Sequence, residues 1–345
     1  MKKLIIMAIT FTLISGFGIG QVFAADKVVL RLDTHEPTTG QVSQLYQKFK
    51  SIVEKKSNGQ VEVKLYYSNQ LGSPVETLEM CQAGNLQVAL GSDAQLASLT
   101  NVFEVFHLPF FFETRKQYLK AMNSPKIRKI IDDDLAKADM KFLAFFENGV
   151  RQIATTKKKI EWPSDLKGVK LRASPSPISV ASLEAFGASV TQLSWPECYD
   201  ALKMGVIDGL TVHFAAYRFG RLDEVLGYIG ELNWMPFGGI CIANKTWWDN
   251  KVPQKAKDAI KEAFEETAEW YQPWVRNFAN GLIKEMIADG TEIYKFTPEQ
   301  QKAFRELAKP VWKKFAKKGL CPQEFQDLLR EEMGPSDNSG WDYKY

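Results

Sequence analysis

Histidine is scarce in this chain. His35, His107 and His213 are the only three among 345 residues, and no two stand at metal-ligand spacing, so no metal site is expected. Four cysteines, Cys81, Cys198, Cys241 and Cys321, lie 117, 43 and 80 positions apart. Without a C-x-x-C pair there is no zinc or thiol-redox signature; the spacing favours four separate core residues and leaves a disulfide open. G-x-S-x-G, H-E-x-x-H, Walker and Rossmann glycine patterns are all missing. Nothing therefore recommends an enzyme or a cofactor, although a triad assembled in space leaves no local motif.

Excess charge is missing as well. Lys and Arg number 44 against 41 Asp and Glu, a net +3 that becomes +1 once Lys2 and Lys3 are removed with residues 1–24. A near-neutral chain is a poor partner for nucleic acid or an anionic membrane surface. Only one long apolar run occurs, residues 4–20, behind those two lysines and ahead of the small residues Val22 and Ala24. It is the pattern of a secretory signal cleaved after residue 24. An uncleaved anchor is the alternative, disfavoured by Gly16, Gly18 and Gly20. No cysteine follows directly for lipid attachment, and no second run approaches the ~20 residues of a membrane span, so no insertion is expected after cleavage.

What is present is ordinary globular composition, 45% hydrophobic and 25% charged, in a length suited to two domains. Strand and helix patterns alternate. "VVLRLDT" and "QVEVKLYY" flank an amphipathic helix with Val42, Leu45, Phe49 and Val53 on one face; Ser73, Pro74 and Glu76 open another helix with a capping box, before the strand "LQVALGSD". A second block holds "MKFLAFFEN", "RQIATT", "VKLRAS", "SVTQLS" and "LTVHF" as strands, with helices at "PISVASLEAFG" and "SWPECYDALKMG", the latter capped by Ser194 and Glu197. Two α/β blocks with largely parallel sheets are expected, meeting near residues 147–151. Residues 253–289 keep a helical period across Pro273, which predicts a long kinked helix bracing both. The polar ending "GPSDNSGWDYKY" predicts a loose tail.

In open α/β sheets, ligands bind beyond the carboxyl ends of the strands. Those ends carry Thr34 and His35, Ser92 and Asp93, Asn148, Arg172, Trp195 and His213. Arg172 stands out. In "VKLRA", Val169, Leu171 and Ala173 face one way and Arg172 the other; a central strand has little room for a charge unless it is paired or serves a ligand. Its planar fork suits a carboxylate. A surface arginine, a structural ion pair for Arg151, and core packing for Trp195, His107 and "PFFF" are the plainer readings.

"SNQLGS" followed by Glu76, "DLKGVKLRASPSP", "FGASVTQLSWPECYDALKMGVIDG" and the long helix after "WWDNKVP" resemble the solute-binding proteins of tripartite ATP-independent periplasmic (TRAP) transporters, the DctP type, over essentially the whole chain past the signal. The resemblance implies an α/β, two-domain periplasmic binding protein (class II-like) with the long kinked helix spanning both domains: residues 25–149 plus about 238–275 as domain I, 150–237 plus about 276–345 as domain II. It implies an organic-acid ligand enclosed by hinge closure, and permease subunits of the DctQ/DctM type as partners. By resemblance, Arg172 forms the carboxylate salt bridge, Arg151 supports it, Trp195 is a wall, and His35 and Ser92 are first-domain contacts. Where the family has Gln-Glu-Asn after "VDG", this chain has Leu210, Thr211, Val212 and His213. Val212 cannot donate the asparagine's bond; His213 or the two arginines would replace it. Since an unpaired buried hydroxyl costs ~1–3 kcal/mol, a monocarboxylate with an apolar or aromatic tail, or a small 2-oxo acid, is expected over a sugar acid. A periplasmic enzyme acting on a carboxylate, or a sensory receptor, are the alternatives.

Overall fold

The structure is a computed structural model that describes residues 27–345 except Ser98, Pro175 and Asp342. The expected signal segment lies outside the described residues. Strands β1 (Val28–Asp33) and β2 (Val61–Tyr66) pair in parallel, joined by the helix Gln41–Lys56. That helix buries the predicted stripe, Val42, Leu45, Phe49 and Val53, and Phe49 stacks on Phe264 with ring centroids 4.0 Å apart. The helix Pro74–Gln82 starts with the predicted capping box, Ser73 Oγ accepting from Glu76 N and the Glu76 carboxylate accepting from Ser73 N.

The remaining strands form one seven-stranded sheet. They are β3 (Val88–Ser92), β4 (Met140–Thr155), β5 (Lys170–Ala173), β6 (Ser189–Gln192), β7 (Gly209–Val212), β8 (Tyr228–Asn244) and β9 (Glu292–Lys295), in the order β3-β8-β4-β7-β5-β6 with β9 beside β8. The expectation of a largely parallel sheet is corrected here. The pairs β5–β6, β5–β7 and β8–β9 are parallel, but the long central strands β4 and β8 are antiparallel to each other, as are β3–β8 and β4–β7. Likewise "MKFLAFFEN" and "RQIATT" are one strand, β4, carried past the apparent break by irregularities on both sides of Asn148 and by a φ of +128° at Gly149 that only glycine adopts freely. β4 and β8 run side by side from Met140 opposite Asn244 to Thr155 opposite Tyr228. One end of this ribbon is flanked by β3, the other by β7 and β9.

The helix Gln254–Ala288 spans 35 residues, about 50 Å of helix. Its first half, through Ile260, Phe264 and Tyr271, packs in the core beneath β1 and β2; its second half, through Ala279, Ile283 and Met286, packs in the central core. Pro273 lies inside, where it removes the bond to the Glu269 carbonyl. The four cysteines are buried and unpaired, as separate core residues. The tail is not loose: Trp341 and Tyr343 are 4% and 6% exposed. Two of the three aromatic side chains in this polar ending are buried and bring enough apolar surface to dock it.

Candidate functional site

Arg172 lies on β5, between β6 and β7, with Leu171 and Ala173 turned into a hydrophobic core. That placement leaves it 5% exposed. Its Nε donates to the Leu193 carbonyl at 3.0 Å, and among the described residues no carboxylate comes within salt-bridge reach. Burial lowers its pKa, offset in part by Glu197.

Arg151 reaches the same region from β4, one residue before Gln152, which pairs with Val212 at the end of β7. It is 4% exposed. Its Nη1 donates to the Thr211 carbonyl at 3.2 Å, its guanidinium sits 4.9 Å over the Phe237 ring, and its Nε has no hydrogen-bond partner among the described residues. Burial takes its pKa down to about 10, opposed by the Asp93 charge and reinforced by the like charge of Arg172. Two guanidinium groups are thus held away from water, within each other's field, and among the described residues neither is neutralised by direct contact with an acid. Such an arrangement is costly unless an anion completes it.

His213 follows β7 and is buried, its ring stacked on Phe237 with centroids 4.4 Å apart and an interplanar angle of 15°. Burial, with the charges of Arg151 and His35, pushes its imidazole down to about 3, so at neutral pH it is uncharged and offers one N–H. His35 is exposed on the loop after β1, and the protein crowding around it lowers its pKa. Val212 packs its side chain into the central hydrophobic cluster while its N–H goes to the Tyr217 hydroxyl at 3.3 Å, so it offers no donor.

Ser92 is committed to its own helix cap, its hydroxyl accepting from Gln95 N at 3.3 Å. Its neighbour Asp93 is the group whose field reaches Arg151. Asp93 Oδ1 lies 3.3 Å from His107 Nε2, and Glu104 Oε2 lies 3.6 Å from His107 Nδ1. Burial disfavours the His107 imidazolium, but the two carboxylates outweigh it and raise the pKa to about 9. His107 is therefore a core histidine whose charged form is favoured by two neighbouring carboxylates. Ser176, which caps the helix Pro177–Ala185, donates its hydroxyl to Glu104 Oε2 at 3.2 Å. Trp195 is half-buried against the end of the helix Phe214–Phe219, its Cζ2 2.8 Å from where a Cβ on Gly220 would stand. Asn148 Oδ1 accepts from the Tyr271 hydroxyl at 2.7 Å, tying β4 to the long helix.

Arg151, Arg172, His213 and His35 are thus brought into one electrostatic neighbourhood, whereas Ser92, Val212 and Trp195 are engaged in packing or capping. Sequence reasoning missed Phe237, hidden in "MPFGG", and the Asp93–His107–Glu104 cluster, whose only local signal is the three-residue spacing of Glu104 and His107.

The family model for bacterial extracellular solute-binding protein, family 7, matches residues 33–318. The C4-dicarboxylate-binding periplasmic protein DctP of Rhodobacter capsulatus is 29% identical over 281 residues, 79% of this chain and 81% of the relative. A TRAP periplasmic solute-binding protein from Ochrobactrum anthropi, with its C-terminus bound in the ligand-binding pocket, is 26% identical at a TM-score of 0.81 over 89% of this chain and 95% of its own. One from Anaerococcus prevotii with bound D-glucuronate shares the fold at 24% identity and a TM-score of 0.83, covering 89% and 98%.

Proposed function

Since the chain belongs to the DctP family of bacterial extracellular solute-binding proteins, family 7, we propose that it captures an organic carboxylate on Arg172 and Arg151 and delivers it to the membrane permease of a TRAP transporter. The observation that carries this reading is the pair of guanidinium groups, each at least 95% buried and neither in contact with an acid among the described residues. A carboxylate accepting both would satisfy their free N–H groups and neutralise a charge that water no longer screens. The two lobes, residues 25–149 with about 238–275 and 150–237 with about 276–345, would close over it about the β4–β8 ribbon and the long helix. After signal cleavage the protein would work in the periplasm as a receptor, without turnover of its ligand.

The preferred ligand is a monocarboxylate with an apolar or aromatic tail, or a small 2-oxo acid. Support comes from the groups next to the arginines: the Phe237 ring under Arg151 and the neutral His213 stacked on it, neither of which supplies the many partners a polyol needs. Asp93 already offsets part of the Arg151 charge, which favours one carboxylate over two. A thermal-shift screen against aromatic acids, 2-oxo acids, succinate and uronates tests the choice. Stabilisation by uronates or succinate, with none by the aromatic and oxo acids, would refute it. Mass spectrometry of the copurified molecule and a turnover assay on it separate receptor from enzyme.

A further inference from the structure

The helix Gln323–Met333 is fastened to the first lobe, with Glu332 accepting from Ser124 Oγ at 2.7 Å and meeting Lys126 at 2.8 Å. The segment Gly334–Tyr345 continues from there. Gln117 Nε2 donates to the Gly334 carbonyl at 3.0 Å, Arg115 N donates to the Gly340 carbonyl at 3.2 Å, and Trp341 is buried against Tyr118. Two residues further on, the same segment reaches the second lobe. Tyr343 meets Phe214 edge to face at 4.9 Å, the Tyr345 hydroxyl donates to Glu231, and Lys344 N donates to Asn280 Oδ1 on the long helix at 3.0 Å.

Between these anchors lies the crossing strand. β7 pairs with β4 only from Thr155 to Gln152, and Pro236 stands opposite Val150 on β8. The Val150 N–H, just beyond the end of β7, goes to the Tyr343 hydroxyl at 3.4 Å. A Cβ on Gly149 would stand 2.9 Å from the same hydroxyl and 3.3 Å from the Cβ of His213, so the tail touches β4 beside the arginine site.

We propose that Gly334–Tyr345 is a strap over the lobe crossing, with Tyr343 as its positioning residue, and that it sets the share of molecules in the arrangement that buries Arg151 and Arg172. The strap makes contacts to both lobes in that arrangement; an opening rotation about β4 has to loosen one set of them. Affinity at the cleft scales with the closed share, so the strap acts on binding without touching the solute. That consequence rests on the carboxylate reading above, but the strap itself is tested without a solute.

The test uses the ligand-free chain with two readouts. Spin labels at Val75→Cys and Met204→Cys, exposed sites one in each lobe at 41% and 72%, report the interlobe distance, the four native cysteines being buried. Hydrogen exchange reports the Val150 amide. Tyr343→Phe keeps the ring and removes the hydroxyl; it is expected to speed Val150 exchange about fivefold and to move the distance distribution to longer values. Truncation after Met333 is expected to move it further. An unchanged Val150 rate or an unchanged distribution in Tyr343→Phe overturns the proposal, as does a truncated chain that folds and keeps the wild-type distribution. A failure of the carboxylate reading shows separately, in the acid screen.

Discussion

Arg172→Met separates binding from stability. Arg172 is 5% exposed, donates to the Leu193 carbonyl, and contacts no acid among the described residues. Taking an ion out of water costs several kcal/mol even after relaxation. Against that, the substitution removes one charge-assisted bond, about 1.5–3 kcal/mol. Methionine fills much of the same volume with no charge to desolvate and relieves the repulsion felt by Arg151. The balance is a ligand-free protein more stable by about 1–2 kcal/mol, with a Tm higher by a few degrees. On the proposed reading the same change is expected to abolish binding, because a carboxylate in the cleft would lose its fork. Differential scanning calorimetry of the ligand-free variant, paired with titration calorimetry against an acid that stabilises the wild type, checks both halves. A variant less stable than wild type would mean that Arg172 is neutralised within the protein; retained affinity would mean that the carboxylate sits elsewhere.

Other perturbations follow from the same geometry. Arg172→Lys keeps the charge and loses the fork, so affinity in titration calorimetry should fall by about 1.5–3 kcal/mol, one charge-assisted bond, with the fold intact. His107 has its pKa raised from 6.5 to about 9, so its ion pairs contribute fully below pH 6.5 and are lost as pH rises through 9. Wild-type stability in denaturant should therefore drop across that window relative to His107→Gln, and parallel curves would mean that His107 is uncharged in the fold. Gly149→Ala forces a side chain into φ +128° and within 2.9 Å of the Tyr343 hydroxyl, which should cost about 1–3 kcal/mol in the same assay. Thiol titration should find four reactive cysteines in denaturant and almost none in the native protein.

Local features were readable from the sequence wherever neighbours in the chain decide them. The stripe of Val42, Leu45, Phe49 and Val53, the Ser73–Glu76 capping box and the alternation around Arg172 were each legible, and each is present. β8 was not legible. Asn233 at φ +52°, Pro236 and the pair Gly238–Gly239 all carry turn chemistry, yet they lie inside a 17-residue strand. Pairing along the whole of β4 overrides their local preference. Missing β8 also hid the antiparallel centre of the sheet and, with it, Phe237. The raised pKa of His107 depends on Asp93, 14 positions away and placed by the short helix Asp93–Leu96 that follows β3, so no local pattern announces it. In the tail, polar composition concealed Trp341 and Tyr343, whose partners Tyr118, Phe214 and Val150 lie far away in sequence.

The most direct measurement is a crystal structure with the copurified or tightest-binding small molecule in the cleft. A carboxylate is expected with its oxygens about 2.7–2.9 Å from the guanidinium nitrogens of Arg172, Arg151 beside it and the Phe237–His213 stack against the rest of the molecule. A bound molecule without a carboxylate, or one whose carboxylate contacts neither arginine, would contradict the central claim.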